Sequence, residues 1–313
     1  MFFTLAHSAV VVFFVLSGYL IAWTAQRDKS AVDYLINRAA RIYSVALPAL
    51  VLTYLLDIAT GTITYQTLQP WKYAPLSLAF ATDFWFLNEG AFSNVPWWSL
   101  CYEVWYYIVF GIMLFGRGWW RWGLAAASLA LMGPRLWLLF PVWLLGAALP
   151  RMRPLPRPAL LLGLALLGIV ALKLSGLEAE LNNAVNMALD GFPRSHLRYS
   201  QYFLGDYLFA SLVALAILAA RDADLNFLAP WQKTSAALAG LSFSLYLTHY
   251  PLLHAFNHLF PGATITIGLL TLGSAVAFAL VFERNKNVAR RLIAAAIAPL
   301  GFIPARRPTS LPS

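Results

Sequence analysis

PWWSLCYEVWYYIVF, Pro96–Phe110, sets a carboxylate about one turn inside an apolar run. Trp97 and Trp98 before it mark a membrane–water interface, where amphipathic rings sit at the level of the headgroups. A lone charge on a helix at the bilayer centre is unfavourable by roughly 3 kcal/mol or more. Glu103 must therefore be protonated, paired with an arginine, or open to a watery cavity. Ser99, four residues earlier, lies on the same helical face. A functional carboxylate and a structural pair fit these residues equally well.

The whole chain reads like this stretch. Of its 313 residues, 60% are hydrophobic and 11% charged, against about 25% charged in a soluble domain. Apolar runs recur throughout, which predicts an all-α, polytopic membrane bundle. Nine spans are expected, at Leu5–Thr24, Ser44–Ile58, Ser99–Phe115, Trp122–Met132, Leu136–Leu149, Ala159–Leu174, Gly205–Ala220, Leu238–Phe256 and Ala263–Phe282. The Trp122–Leu149 pair also fits a re-entrant hairpin. Ala74–Leu87, interrupted by Pro75 and Asp83, is expected to be a partial or interfacial segment.

The net charge is +9, and the basic residues sit in short loops between apolar runs. That is topology rather than a nucleic-acid surface, since no basic patch stands on a polar face. With the Thr24–Tyr43 loop in the cytoplasm, 17 of the 22 Lys and Arg fall inside. The N-terminus is then outside and the C-terminus inside. An outside N-terminus, with no basic n-region of a signal peptide, is read as a helix missing upstream of Met1. Pro304–Ser313 is expected to be a disordered tail. The outer segments Ala59–Pro96 and Ser175–Leu204 are rich in Asn, Tyr, Trp, Ser and Thr, which suits carbohydrate contacts and interface loops alike. The single cysteine, Cys101, excludes an internal disulfide and a cysteine zinc site, and reads as packing.

Three further places carry chemistry. Arg38 and Arg41 are three apart on one helical face, fit either to grip phosphates or to mark the cytoplasmic side. In LSFSLYLTHYPLL, Ser242, Tyr246 and His249 follow four-then-three spacing and form one stripe directed at the bundle interior. His249 there is a general base or a packing histidine, with Pro251 kinking the helix beyond it. In HSAVVVFFVLSGYLI, Gly18 beside Ser17 permits close helix approach. His7 is read as a solvated histidine near the outer interface, as are His254 and His258. No metal site is expected: His254 and His258 have i, i+4 spacing but no buried carboxylate partners.

These motifs, VVVFFVLSGYLIAW, INRAARIYSVALP, PWWSLCYEVWYYIVF, FPVWLLGAAL and LSFSLYLTHYPLL, occur in one order from Val10 to about Glu283. Together they resemble the membrane-bound acyltransferase-3 family, O-acyltransferases of exopolysaccharides, lipopolysaccharide O-antigens and similar acceptors. The resemblance implies an all-helical domain over residues 1–283, N-terminally incomplete, with a basic, Pro-rich cytoplasmic tail over 284–313. It implies an acyl-CoA donor, commonly acetyl-CoA, no permanently bound cofactor, a glycan or lipid-linked sugar acceptor, and the bacterial inner membrane. FFxxSG of the family matches Phe13, Phe14, Ser17 and Gly18. WSLxxE matches Trp98, Ser99, Leu100 and Glu103, and SYxxYLxH matches Ser242, Phe243, Tyr246, Leu247 and His249. The arginine pair matches Arg38 and Arg41 and implies donor binding. Two departures stand: Tyr43 is followed by Ser44 rather than proline, and this sequence begins after the family's first helix, so the basic histidine of that helix is expected either to lie upstream or to be lacking. His7 does not match that histidine. The expected catalytic residues are His249, Glu103 and His7, with a glycan exporter or a silent membrane partner as alternatives.

Overall fold

The computed structural model describes residues 2–188 and 196–298. They form thirteen α-helices and no strand: α1 Phe2–Thr24, α2 Ala31–Ala59, α3 Tyr65–Leu68, α4 Pro70–Leu78, α5 Trp97–Phe115, α6 Trp120–Met132, α7 Pro134–Ala148, α8 Pro158–Ser175, α9 Leu177–Ala188, α10 Phe203–Asp222, α11 Gln232–Leu259, α12 Thr264–Phe282 and α13 Lys286–Ile297. Each of the nine predicted runs falls on one helix. Six segments among the described residues are long and apolar enough to cross a membrane: Ala6–Arg27, Ala31–Ala59, Trp97–Phe115, Pro158–Ser175, Arg198–Asp222 and Thr264–Phe282. α6 and α7 have 13 and 15 residues, short of the ~20 a perpendicular crossing needs. They meet tip to tip at Gly133, whose φ of 81° is open to glycine, followed by Pro134 at the first position of α7.

Several boundaries move. α2 begins at Ala31, so Arg38 and Arg41 lie inside one continuous helix that runs through Pro48. Ser30 starts it, its hydroxyl accepting the backbone N–H of Asp33 at 3.1 Å. Ala74–Leu87 does not span. α4 stops at Leu78, and residues 79–96 fold back as a loop that buries Thr82, Asp83 and Asn94. Phe80, Trp85 and Phe92 in that loop take left-handed backbone conformations (φ 53°, 49° and 56°), which bulky residues adopt only when the surroundings force them. The surroundings are polar clamps. Buried Arg135, in the first turn of α7, donates to the carbonyls of Leu87 and His196, and Arg198 pairs with Asp83 at 2.8 Å. α9 and α13 were not expected as helices. The expected tail at 304–313 lies outside the described residues.

The bundle packs by aromatics and glycines. Phe14 of α1 meets Trp98, Tyr102 and Tyr106 of α5. Gly18 faces the backbone of Trp143 and Ala147, and Gly146 faces Val15, so that α1 and α7 interlock where neither has a side chain. His7 beside Trp98, and Ser17 beside Glu103, show α1 and α5 running the same way. α7 and α10 join them: Asp206 meets His7 at one end, and Arg221 donates to Leu149 O at the other. α2 runs opposite to α5, with Tyr34 against Tyr107 O and Asp57 against Ser93. Cys101 is fully buried, with Sγ 3.0 Å from Thr82 Oγ1.

Candidate active site

Glu103 sits in the bundle interior, 3% exposed. Its answer to apolar burial is a set of hydroxyls. Ser17 Oγ donates to Oε1 at 2.6 Å, and Tyr107, one turn along α5, donates to the same oxygen. The indole of Trp143 donates to Ser17 Oγ at 3.2 Å, so α1, α5 and α7 all hold the carboxyl. Among the described residues Glu103 makes no ion pair; its bonds are to hydroxyls. Ser17 and Gly18 thus serve one point of the fold: the glycine brings α7 close, and the serine takes up the bond that closeness permits.

Ser99, one turn before Glu103, ties α5 to α11. Its hydroxyl lies 2.6 Å from Tyr246 Oη, and Tyr246 also donates to Pro96 O at 3.2 Å. His249 is the next residue of interest on α11. Its Nδ1 is 2.7 Å from Tyr246 O and 3.2 Å from Leu245 O. A carbonyl only accepts, so Nδ1 carries the hydrogen and a neutral ring keeps its lone pair at Nε2. Ser242 departs from the expected inward stripe. It is exposed, and its hydroxyl donates to Ala239 O of its own helix. The buried face of α11 runs instead through Ser244, Thr248, Pro251 and Ala255, with Ser244 donating to Glu283 at 2.7 Å.

His7 is not the solvated histidine expected. Its side chain is 9% exposed, and Nε2 lies 2.9 and 3.0 Å from the two oxygens of Asp206. Trp98 stacks parallel to the ring at 6.4 Å, and Tyr202 meets it edge-on at 5.3 Å. Asp206 was overlooked in the sequence. Its signal is the same as that of Glu103, a single carboxylate in an apolar run, GDYLFASLV.

The two arginines separate. Arg38 pairs with Asp28 at 3.0 Å, donates to Thr24 at 2.9 Å and lies over the ring of Tyr34. Arg41 instead lines a cavity of about 770 Å³ between α2, α11, α12 and α13, with Asn37, Ser44, Glu283, Asn287 and Arg290. Arg290 donates to Asn37 Oδ1 at 2.8 Å, which seats α13 on α2.

The fold and site define a helical membrane protein with a polar line through its middle: an arginine-lined cavity at one end, a hydroxyl-bound carboxyl within, and two histidines toward the other. A family model of the acyltransferase domain matches residues 1–284. The chain belongs to the acyltransferase-3 family. It is also similar to an O-acetyl transferase of Shigella phage Sf6, 46% identical over 48 residues, 15% of this chain and 14% of the relative's length. No solved structure matches.

Proposed function

We propose that the protein moves an acyl group, most simply acetyl, from acyl-CoA to a hydroxyl of a cell-envelope or exported glycan, in the bacterial inner membrane. The observation that carries this reading, beside family membership, is the cavity that holds Arg41 and Arg290 at the end of the bundle opposite the His7–Asp206 pair. Guanidiniums suit the phosphates of the donor, and a donor site at one end leaves the other for an acceptor. The excess of basic residues on the Arg41 side supports a cytoplasmic donor and a C-terminus inside. The acceptor hydroxyl loses its proton to a histidine while its oxygen bonds to the acyl carbon. The C–S bond breaks, and the CoA thiolate takes up a proton. Glu103 fixes the Ser17 and Tyr107 hydroxyls between donor and acceptor, and Tyr246 and Ser99 hold α11 beside them.

The test is transfer of labelled acetate from acetyl-CoA to envelope glycan by purified protein in nanodiscs. A guanidinium–phosphate bond is worth about 1.5–3 kcal/mol, so Arg41→Ala is expected to raise the KM for acetyl-CoA about 10–100-fold. Arg38→Ala, outside the cavity, is expected to lower the melting temperature and leave that KM within about threefold. Wild-type protein that transfers no label, or an Arg41→Ala variant with unchanged KM, overturns the reading.

A further inference from the structure

One wall of the arginine-lined cavity is α13, Lys286–Ile297, which follows the residues 1–284 that match the family model. Building on the acyl-transfer reading, we infer that α13 is half of a phosphate clamp. Arg290 on α13 and Arg41 on α2 hold a phosphate group of the donor, while its pantetheine arm lies along the wall made by α11 and α12. The cavity thereby selects a thioester on a phosphate-bearing arm and fixes which way round it lies.

Arg290 is seated by a relay of hydrogen bonds. Asp28, in the turn between α1 and α2, accepts from Asn37 Nδ2 at 2.7 Å with one oxygen and from Arg38 at 3.0 Å with the other. A carboxylate only accepts, so the Asn37 amide is turned with its carbonyl oxygen away from Asp28. That oxygen takes the Arg290 Nε–H at 2.8 Å. The two terminal amino groups of Arg290 make no bond among the described residues, and they form the edge of a guanidinium that grips two phosphate oxygens at once. Arg41 lines the same cavity, and its guanidinium makes no hydrogen bond or ion pair among the described residues. Arg38, Arg198 and Arg221, by contrast, are engaged with Asp28, Asp83 and Asp222. The carboxylate on the cavity wall is Glu283, which accepts from Ser244 at 2.7 Å. Two guanidiniums against one carboxylate leave an excess of positive charge, which suits an anion.

The wall contributed by α11 and α12 is uncharged. Of its seven described lining residues, five are alanine or glycine. A Cβ at Gly240 would have no atom within 4 Å. A slim, uncharged arm fits such a wall, and a phosphate does not. Six residues beyond Gly240, about 9 Å along the helix, Tyr246 bonds to Ser99, one turn before Glu103. An arm that runs from Arg290 past Gly240 therefore carries its thioester toward the buried, hydroxyl-bound carboxyl.

The experiment measures the dissociation constants of CoA and of pantetheine, which carries no phosphate, by calorimetry on protein in nanodiscs. Transfer from acetyl-CoA is followed on the same preparations. Arg290→Gln keeps an N–H for Asn37 and loses the charged fork. It is expected to weaken CoA about 10–100-fold, to leave pantetheine within about threefold, and to raise the KM for acetyl-CoA with kcat unchanged. Gly240→Leu fills the open wall and is expected to weaken both ligands by factors that agree within about threefold. If Arg290→Gln does not fold, Arg290→Ala, at an exposed helix position, is read by the same ratio of the two constants. Equal weakening of CoA and pantetheine in the Arg290 variant would mark that residue as a strut for α13. That result, or unchanged CoA binding, overturns the clamp and leaves the transferase reading intact. A Gly240→Leu protein that binds both ligands as wild type does overturns the placement of the arm. Wild-type protein that binds CoA but transfers no acetate overturns the transferase reading and leaves the clamp standing; wild-type protein that binds no CoA overturns both.

Discussion

Replacing Gly146 with alanine is expected to force α1 and α7 apart. A Cβ at Gly146 would stand 2.0 Å from the carbonyl oxygen of Val15, and one at Gly18 would stand 2.1 Å from that of Trp143. Ordinary contact begins at 3.4 Å, so from 2.0 Å the two helices must separate by about 1.4 Å. Both obstacles are backbone atoms, which leaves no side chain to turn aside. Overpacking of this kind costs about 1–3 kcal/mol. The separation also breaks the bond from Trp143 Nε1 to Ser17, now 3.2 Å, a further loss of about 0.5–1.5 kcal/mol. Together these give roughly 1.5–4.5 kcal/mol. The assay is thermal unfolding in detergent, followed by tryptophan fluorescence, with acyl transfer measured on the same preparation. Gly123→Ala is the control: no atom lies within 4 Å of its Cβ position, and alanine in a helix interior is favoured by roughly 0.5–1 kcal/mol. A Gly146→Ala protein that melts with wild type and transfers as well would refute the interlock.

Glu103→Ala leaves the hydroxyls of Ser17 and Tyr107 without their acceptor, at about 1–3 kcal/mol for each orphaned group, whereas Glu103→Gln keeps a carbonyl oxygen in place. Melting is therefore expected to separate the two variants, with alanine clearly the less stable; equal melting temperatures would show that the hydroxyls find other partners. The loop between α4 and α5 is expected to be pH-sensitive once its cation is removed. Burial pushes the Asp83 carboxyl up from its ordinary value, and Arg198 opposes that rise. A carboxyl raised in the folded state holds its proton longer than in the unfolded chain. Its folded form is then fully stable below the unfolded pKa of about 3.9 and loses stability as pH rises from there to the folded pKa. Arg198→Ala removes that opposition and widens the window, so its melting temperature is expected to fall as pH rises above about 3.9 and to go on falling to higher pH than in wild type, and adding Asp83→Asn to abolish the fall. A pH-independent Arg198→Ala protein would contradict this.

The apolar runs made the helix interiors legible, because a membrane-type helix advertises itself by composition. Helix ends were less so. The first turns of α2, from Ala31 to Tyr43, carry Asp33, Asn37, Arg38 and Arg41, too polar for a hydropathy reading, although Ser30 with Asp33 three residues on is a helix-start signal in the sequence. Residues 79–96 gave no periodic signal, since their burial depends on Arg135 and Arg198 arriving from distant parts of the chain. In the site, Glu103, Ser17 and Tyr246 were visible as polar residues where apolar ones belong. Their partners were not, because spacing along one helix says nothing about which neighbour it meets. The same limit explains Ser242 and Arg38. Three- and four-residue steps place side chains on a shared face, yet Ser242 turns outward, and Arg38 stays with Asp28 while Arg41 enters the cavity. His7 looked ordinary at a helix end until α10 supplied Asp206.

The single thiol of the chain has a practical consequence. Cys101 is closed off against Thr82 at the centre of the packed helices, so a membrane-impermeant maleimide has nothing native to label. Cysteines introduced one at a time at exposed loop positions such as Lys29, between α1 and α2, and Asn88, between α4 and α5, then report the side of the membrane on which each loop lies. The natural chain serves as its own blank, and labelling in intact cells against broken ones fixes which end of the bundle meets the cell's CoA pool.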